Sequence, residues 1–282
     1  PDPRSYQGFF EPFYRGAFDA GLQARVLHVE QATTGDPRSA VAAYPVLVAA
    51  GLYTADDATL DWLTAYAAAG GHLILGPRTG YADPEGRART DTMPARLHNA
   101  AGVSFDEYSN LTSPLPVRIS AGDDDPTASL PVSSGAAAMR WADGLIADGA
   151  HVLVGYEHPH FGQWSTVTTR VHGAGRITVV GTVPNTVLAH DLFQWVAAHL
   201  PKDRWRSTQR SITTSSALND NEDILHFVHN WSWEPATFVI PAAADDVLSG
   251  DEYSAETELR LGPWDVRVLL TYQEGAGEAM PD

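Results

Sequence analysis

No cysteine occurs among the 282 residues. Disulfides, thiolate metal sites and cysteine nucleophiles are therefore excluded. Lysine is almost as scarce: Lys202 is the single example, and arginine supplies the rest of 18 basic residues set against 35 acidic ones, for a net charge of -17. Neutralising phosphates takes clustered Lys and Arg, so this balance argues against nucleic acid or an anionic membrane as a partner. No apolar run approaches the roughly 20 residues that span a bilayer. No signal-peptide pattern opens the sequence, and no period of about 20–50 residues marks a solenoid. The start at Pro1-Asp2-Pro3, without an initiator Met, suggests a piece of a longer protein.

What is present supports packed cores: 44% of residues are hydrophobic and 10% aromatic. The length accommodates two domains, because single cores stop growing near about 250 residues. Phe9, Phe10, Phe13, Tyr14, Ala17 and Phe18 recur at helical spacing before Gly21. Residues 24–29 read as a strand. The unbroken run 46–50 reads as a parallel strand covered on both faces. Thr54-Ala55-Asp56-Asp57 has the form of a capping box, with Thr54 as the cap of a helix whose buried face is Leu60, Leu63, Tyr66 and Ala67. Gly70-Gly71 ends that helix, and residues 72–75 form the next strand. A short helix is expected over 93–102, a strand over 150–154, and strand pieces and loops over 114–136. A hairpin turning at His172-Gly173-Ala174-Gly175 joins 167–171 to 176–180. A helix over 185–200 buries Leu188, Leu192, Trp195, Val196 and Leu200. Beyond the boundary at 201–206 the period becomes two, with strands at 224–230, 237–240 and 266–271. The pattern predicts an α/β domain over 1–203, a three-layer open and mostly parallel sheet, followed by a small antiparallel β domain over 204–282.

The chemistry-bearing stretches each have a plain structural reading beside the functional one. Gly76-Pro77-Arg78-Thr79-Gly80 after a strand has the G-x-x-x-G frame of a nucleophile elbow, but its middle residue is Arg78, which is no nucleophile. His158-Pro159-His160 beside Glu157 lacks a third ligand at zinc spacing, so a structured loop is favoured over a metal site. His226 and His229, an odd number apart, cannot share a strand face and read as sheet residues. Asp123-Asp124-Asp125 reads as a solvated turn. Asp83 and Glu85 lie within reach of Arg78, Arg87 and Arg89, which favours an ion-paired loop over a tuned acid–base pair. Trp231 and Trp233 would lie on one strand face. They are candidates, with Trp164, for stacking on sugar rings, while packing in the core of a small β domain or between domains is the more economical reading. No cofactor is expected.

The ordered series of segments resembles the glycoside hydrolase family 42 β-galactosidases. "YQGFFEPFYRGAFDAG" resembles the first helix of that family's middle domain. "YPVLVAAGLYTADDATLDWLTAYAAAGGHLILGPRTGYAD" is similar to its most recognisable block, and "HNAAGVSFDEYSNL", "WADGL" and "HGAGRITVVGT" follow in the family's order. "VHNWSWEPATFVIP" and "GPWDVRVLL" resemble its short C-terminal β domain. The resemblance implies a trimerisation domain with a fold akin to class I glutamine amidotransferases (flavodoxin-like), without the amidotransferase cysteine. It also implies a separate catalytic barrel with two Glu residues that precedes this chain in the full-length enzyme, a homotrimer, and a cytoplasmic setting. On that reading this chain alone is inactive, and Arg78, Tyr81, Asp83 and Arg87 in the loop 77–92 are candidates for an oligomer interface. Two alternatives stay open: a free-standing carbohydrate-binding module, or an amidotransferase-fold enzyme with a nucleophile other than Cys.

Overall fold

The computed structural model describes residues 4–120, 129–207 and 209–272; the turn expected at Asp123-Asp124-Asp125 lies outside the described residues. The described residues divide into two compact units, one within Pro1–Gly16 and Arg25–Val196, the other within Ala17–Ala24 and Ala197–Asp282.

Helix α1 covers Ser5–Asp19, α2 Val29–Ala32 and α3 Pro37–Ala43. Strand β1 (Val46–Ala49) then leads through α4 (Asp57–Ala68) to β2 (His72–Leu75). The Asp56 side chain caps α4 by accepting from the Thr59 N–H at 2.7 Å. Thr54, the expected cap, instead bridges to Ala82. After α5 (His98–Ala101) come β3 (Val103–Asn110), β4 (Leu115–Ile119), β5 (Ala137–Ala147), β6 (His151–Tyr156), β7 (Ser165–His172), β8 (Gly175–Val180), β9 (Thr182–Pro184) and α6 (Thr186–Ala198). Residues 24–28 form no strand, and α2 follows them directly, leaving β1 as the sheet edge.

These strands form one nine-stranded sheet in the order β1-β2-β8-β7-β6-β4-β5-β3, with β9 on β5. Only β1–β2 and β2–β8 pair in parallel; every other pairing is antiparallel. The sheet is thus mixed, not mostly parallel. The expected hairpin is one cause: β7 and β8 close at His172↔Gly175, so β8 runs parallel to β2 on one side and antiparallel to β7 on the other.

At the parallel edge, alternation assigns the two faces. Leu73, Leu75, Ile177 and Val179 join Leu60, Leu63 and Tyr66 of α4 in one core. The intervening residues face α6: the His72 ring meets Trp195 edge-on at 5.7 Å, and the Arg176 guanidinium lies 5.6 Å from the same indole. Helix α6 begins at Asn185, whose carboxamide oxygen accepts from the Leu188 N–H at 2.9 Å and the Ala137 N–H at 3.1 Å. One side chain therefore ties a helix start to the longest strand.

In the second unit, β10 (Ile212–Leu218), β11 (Ile224–Asn230), β13 (Ala244–Asp246), β14 (Glu252–Tyr253) and β16 (Val266–Thr271) form a five-stranded antiparallel sheet in the order β10-β11-β16-β13-β14. Strands β12 (Ala236–Val239) and β15 (Glu258–Leu261) form a separate pair. Its core includes Ile212, Val228, Ile240, Leu261 and Leu269.

Candidate functional site at the strand elbow

The G-x-x-x-G segment leaves β2 at the end of its parallel pairing, the side where open α/β sheets place ligands. Gly76 is required by close approach, because a Cβ there would come within 2.9 Å of the Ala50 Cα. Its N–H continues the ladder to the Ala49 carbonyl at 2.9 Å. Thr79 is fully buried, and its hydroxyl donates to the Gly76 and Ala49 carbonyls at 2.9 and 3.2 Å. Arg78 stands between them at φ +60°, a conformation that costs a non-glycine residue about 1 kcal/mol or more. The strand thus ends in a sharp turn with a strained apex, though no helix follows it directly as one follows a nucleophile elbow. Its apex residue has no nucleophilic atom, and the one neighbouring hydroxyl is spent on carbonyls.

Four aromatic rings surround the Arg78 side chain. Its guanidinium carbon lies 4.1 Å from the Tyr81 ring centre, 4.6 Å from Trp141, 4.9 Å from Tyr108 and 5.2 Å from Tyr53. Each distance is within cation–π range. The rings also stack on each other, Tyr108 on Trp141 at 4.7 Å and Tyr53 on Tyr81 at 6.1 Å. Tyr53 and Tyr108 form an exposed rim, and Trp141 is buried.

Beneath the cage lies Asp143, fully buried on β5. Its Oδ1 accepts from the Trp141 indole N–H at 2.8 Å, and the Arg78 backbone N–H also faces the carboxyl, whose Oδ2 makes no full hydrogen bond among the described residues. Burial pushes this carboxyl up to about 6, against the Trp141 hydrogen bond and the neighbouring Arg78, which pull it down. The same burial raises the Tyr81 phenol to about 12, helped by the Asp143 charge and opposed by Arg78. A sealed carboxyl and a caged cation can hold a shape and present a surface; neither can attack a substrate.

The charged loop that follows is held by its own residues. Asp83 Oδ1 accepts from the Glu85 and Arg87 N–H groups at 3.0 and 2.9 Å, and Arg87 pairs with Glu85. Arg89 reaches α4 through Asp57 at 2.6 Å, and Arg96 makes a two-point bond to Asp61 with both contacts at 2.6 Å. Of the four expected interface residues, then, Arg78 and Tyr81 meet in the cage, while Asp83 and Arg87 shape the loop. Tyr53, Tyr108, Trp141 and Asp143 were not singled out from the sequence. The Trp141–Asp143 spacing of two, natural to one strand face, was the available signal.

The other candidates lie elsewhere. Trp164 is 7% exposed, with its ring against the Gly144 backbone and its N–H donated to Asp106 at 3.1 Å, so it offers no free face for stacking. Trp231 and Trp233 lie beyond the end of β11 and not on a strand face. They are exposed and are no part of the β-domain core. His158 uses its Nδ1 to accept from the His160 and Phe161 N–H groups at 3.1 and 3.2 Å. His226 and His229 both lie in β11, His226 buried against Trp205 with ring centres 3.6 Å apart.

Comparison with known proteins agrees with this architecture. Residues 4–201 match the family model of the β-galactosidase trimerisation domain, and residues 214–270 match that of the β-galactosidase C-terminal domain. The β-galactosidase Bga of Halorubrum lacusprofundi is 29% identical over 190 residues, 66% of this chain and 26% of that protein. Among solved structures, a β-galactosidase from Bacillus circulans sp. alkalophilus superposes with a TM-score of 0.77 at 17% identity, over 95% of this chain and 38% of its own. The Gan42B β-galactosidase gives 0.78 at 19% identity, over 96% and 37%. The chain thus spans between a quarter and two fifths of these relatives, and the structural likeness is one of fold.

Proposed function

The chain belongs to the glycoside hydrolase family 42 β-galactosidases through their trimerisation and C-terminal domains, and from that premise we propose that it is the non-catalytic assembly portion of such an enzyme. On this reading the full-length protein hydrolyses terminal β-D-galactosyl residues in a separate catalytic barrel, works as a cytoplasmic homotrimer, and divides between residues 203 and 204 into assembly and C-terminal domains. The observation that carries the proposal is the apex of the elbow. On this reading Arg78, strained and held among four rings, stands where an amidotransferase-like enzyme would hold its nucleophile. That cage argues equally against an acyl-transfer enzyme with a nucleophile other than Cys.

The rim of the cage, with Tyr53, Tyr108 and the loop 77–92, is the proposed contact surface. Arg and Tyr suit such a role because each buries apolar area while keeping a polar tip. Sedimentation of the 30.4 kDa chain tests the assembly, and turnover of nitrophenyl β-galactoside tests the lack of catalysis. A mass near three chains and no hydrolysis are expected. In the full-length enzyme, Arg78→Ala should loosen the assembly at high dilution while each protomer stays folded. A trimer unchanged at every dilution, or hydrolysis by the purified chain, would overturn the corresponding half of the proposal.

A further inference from the structure

The second unit carries an exposed aromatic surface of its own. Beyond β11, Trp231, Trp233 and Trp264 form a continuous aromatic group. Trp233 is 78% exposed and Trp264 52%, with their ring centres 5.6 Å apart and planes at 70°. Trp231 meets the other side of the group at 6.1 Å from Trp264. Its own role is to buttress: its N–H donates to the Thr213 hydroxyl at 2.6 Å, and its ring stacks on His229 at 5.0 Å.

The loops that bear these rings are locked together by one buried side chain. Asn230 donates from Nδ2 to the Glu234 and Gly262 carbonyls, both at 2.8 Å, and its Oδ1 accepts from the Ser232 N–H and hydroxyl at 3.1 and 2.8 Å. The Trp264 backbone N–H closes onto the Ser232 carbonyl at 3.0 Å, and Trp264 itself is held at φ +53°. Large indoles are thus held out in water on backbone that cannot easily collapse over them, which is preorganisation of the kind that favours binding.

We infer that Trp233 and Trp264 form a binding platform for an uncharged pyranose ring. Three features select this ligand. An indole face carries the negative side of a quadrupole, and the axial C–H groups of a pyranose present complementary positive edges. The same loops offer hydrogen-bonding groups of both kinds: the two indole N–H groups and the exposed carboxylate of Glu234, the residue after Trp233, have no partner among the described residues. Sugar hydroxyls can satisfy both, whereas an anion would be repelled by a chain of net charge -17. The two rings touch each other and enclose no socket, so they do not form a cage for an ammonium head. Size argues in the same direction. Two indoles at these exposures offer roughly 300 Å² of apolar face, well short of the ~800 Å² per partner of a stable protein interface.

The test is calorimetric titration of the 282-residue chain with methyl β-galactoside, methyl β-glucoside and tetramethylammonium, beside sedimentation of the same samples. A pyranoside should bind with a dissociation constant on the order of 1 mM, the range expected of so small a ligand. Trp233→Ala and Trp264→Ala should each weaken binding at least about tenfold, and Trp233→Phe, which keeps a ring, should retain most of it. Unchanged thermal midpoints would certify these surface variants as folded. The inference fails if neither pyranoside binds at roughly 100 mM, if only the ammonium ion binds, or if the variants change the sedimenting mass, which would make the face a protein interface. None of these readouts depends on whether the elbow mediates assembly.

Discussion

Asp143 is the residue at which folding and ionisation oppose each other most directly. Its carboxyl is raised to about 6 by burial, so between the unfolded value near 3.8 and this one the native state holds a proton that the unfolded chain releases. Its contribution to stability is therefore complete below pH ~4 and lost as the pH rises through 6, a decrease on the order of 3 kcal/mol. Asp143→Asn keeps an oxygen for the Trp141 N–H and removes the titration. Urea midpoints from pH 4 to 7.5 should show the wild type losing stability relative to the variant over this interval, with the variant at least as stable at neutral pH. Parallel curves would mean that the carboxyl is not sealed. His226 titrates in the opposite sense. Burial pushes it down to about 4, with Asp203 opposing, and its ring nitrogens bond to the Ser216 and Thr271 hydroxyls at 2.8 and 3.0 Å. The unfolded state then binds the extra proton, so stability is lost as pH falls below about 6.5. Acidification from pH 7 to 5 should lower the melting transition of the second unit, reported by fluorescence of the stacked Trp205, and His226→Gln should remove that dependence.

At the scale of elements, the tightest junction is where the turn after α4 meets the start of β8. A Cβ on Gly175 would lie 2.3 Å from the Gly71 carbonyl oxygen and 2.4 Å from that of Ala67. Both obstacles are backbone, one in the turn and one in the helix, and neither can swing aside as a side chain can. Gly175→Ala should therefore cost about 3 kcal/mol, at the upper end for overpacking, seen as a lower urea midpoint. The defect should appear in the first unit and spare the transition of the second. A loss under about 0.5 kcal/mol, the scale of ordinary surface changes, would show that the helix and hairpin are less closely seated than the structure places them.

For the molecule as a whole, charge dominates. A net charge of -17 on 282 residues makes compaction electrostatically costly. The internal ion pairs offset this only locally, as in the Arg89–Asp57 and Arg96–Asp61 contacts that fasten the loop to α4. Salt screens exposed repulsion within a Debye length of ~10 Å at 0.1 M, so melting temperature should rise by several degrees between about 10 mM and 0.5 M sodium chloride, the ion pairs notwithstanding. The same screening should favour association of like-charged copies. A melting temperature that falls with salt would mean that the ion pairs outweigh the general repulsion.

Local pattern alone determined a good part of this protein. The unbroken apolar run at 46–50 and the short strand at 72–75, with an amphipathic helix between them, specify a β-α-β unit, and the two strands do pair in parallel. The turn at Gly173-Ala174 specifies a hairpin, and the G-x-x-x-G frame specifies an elbow whose apex is not a nucleophile. These features are legible because side-chain period and turn chemistry act over a few residues. What tertiary structure decided lies at longer range. Strand β5, rich in Ala and carrying Gly144, has little strand propensity of its own and is held by β3, β4, β7 and β9. Its antiparallel pairings, together with the β7–β8 hairpin, make mixed a sheet expected to be mostly parallel. The Arg78 cage draws on residues 53, 81, 108 and 141, which no local period connects. Burial sets Asp143 near 6, while Trp231 and Trp233 stay outside because β11 ends at Asn230, before both of them. Pairing partners and solvent exposure depend on which distant segments reach the same place, and a short window of sequence does not contain that information.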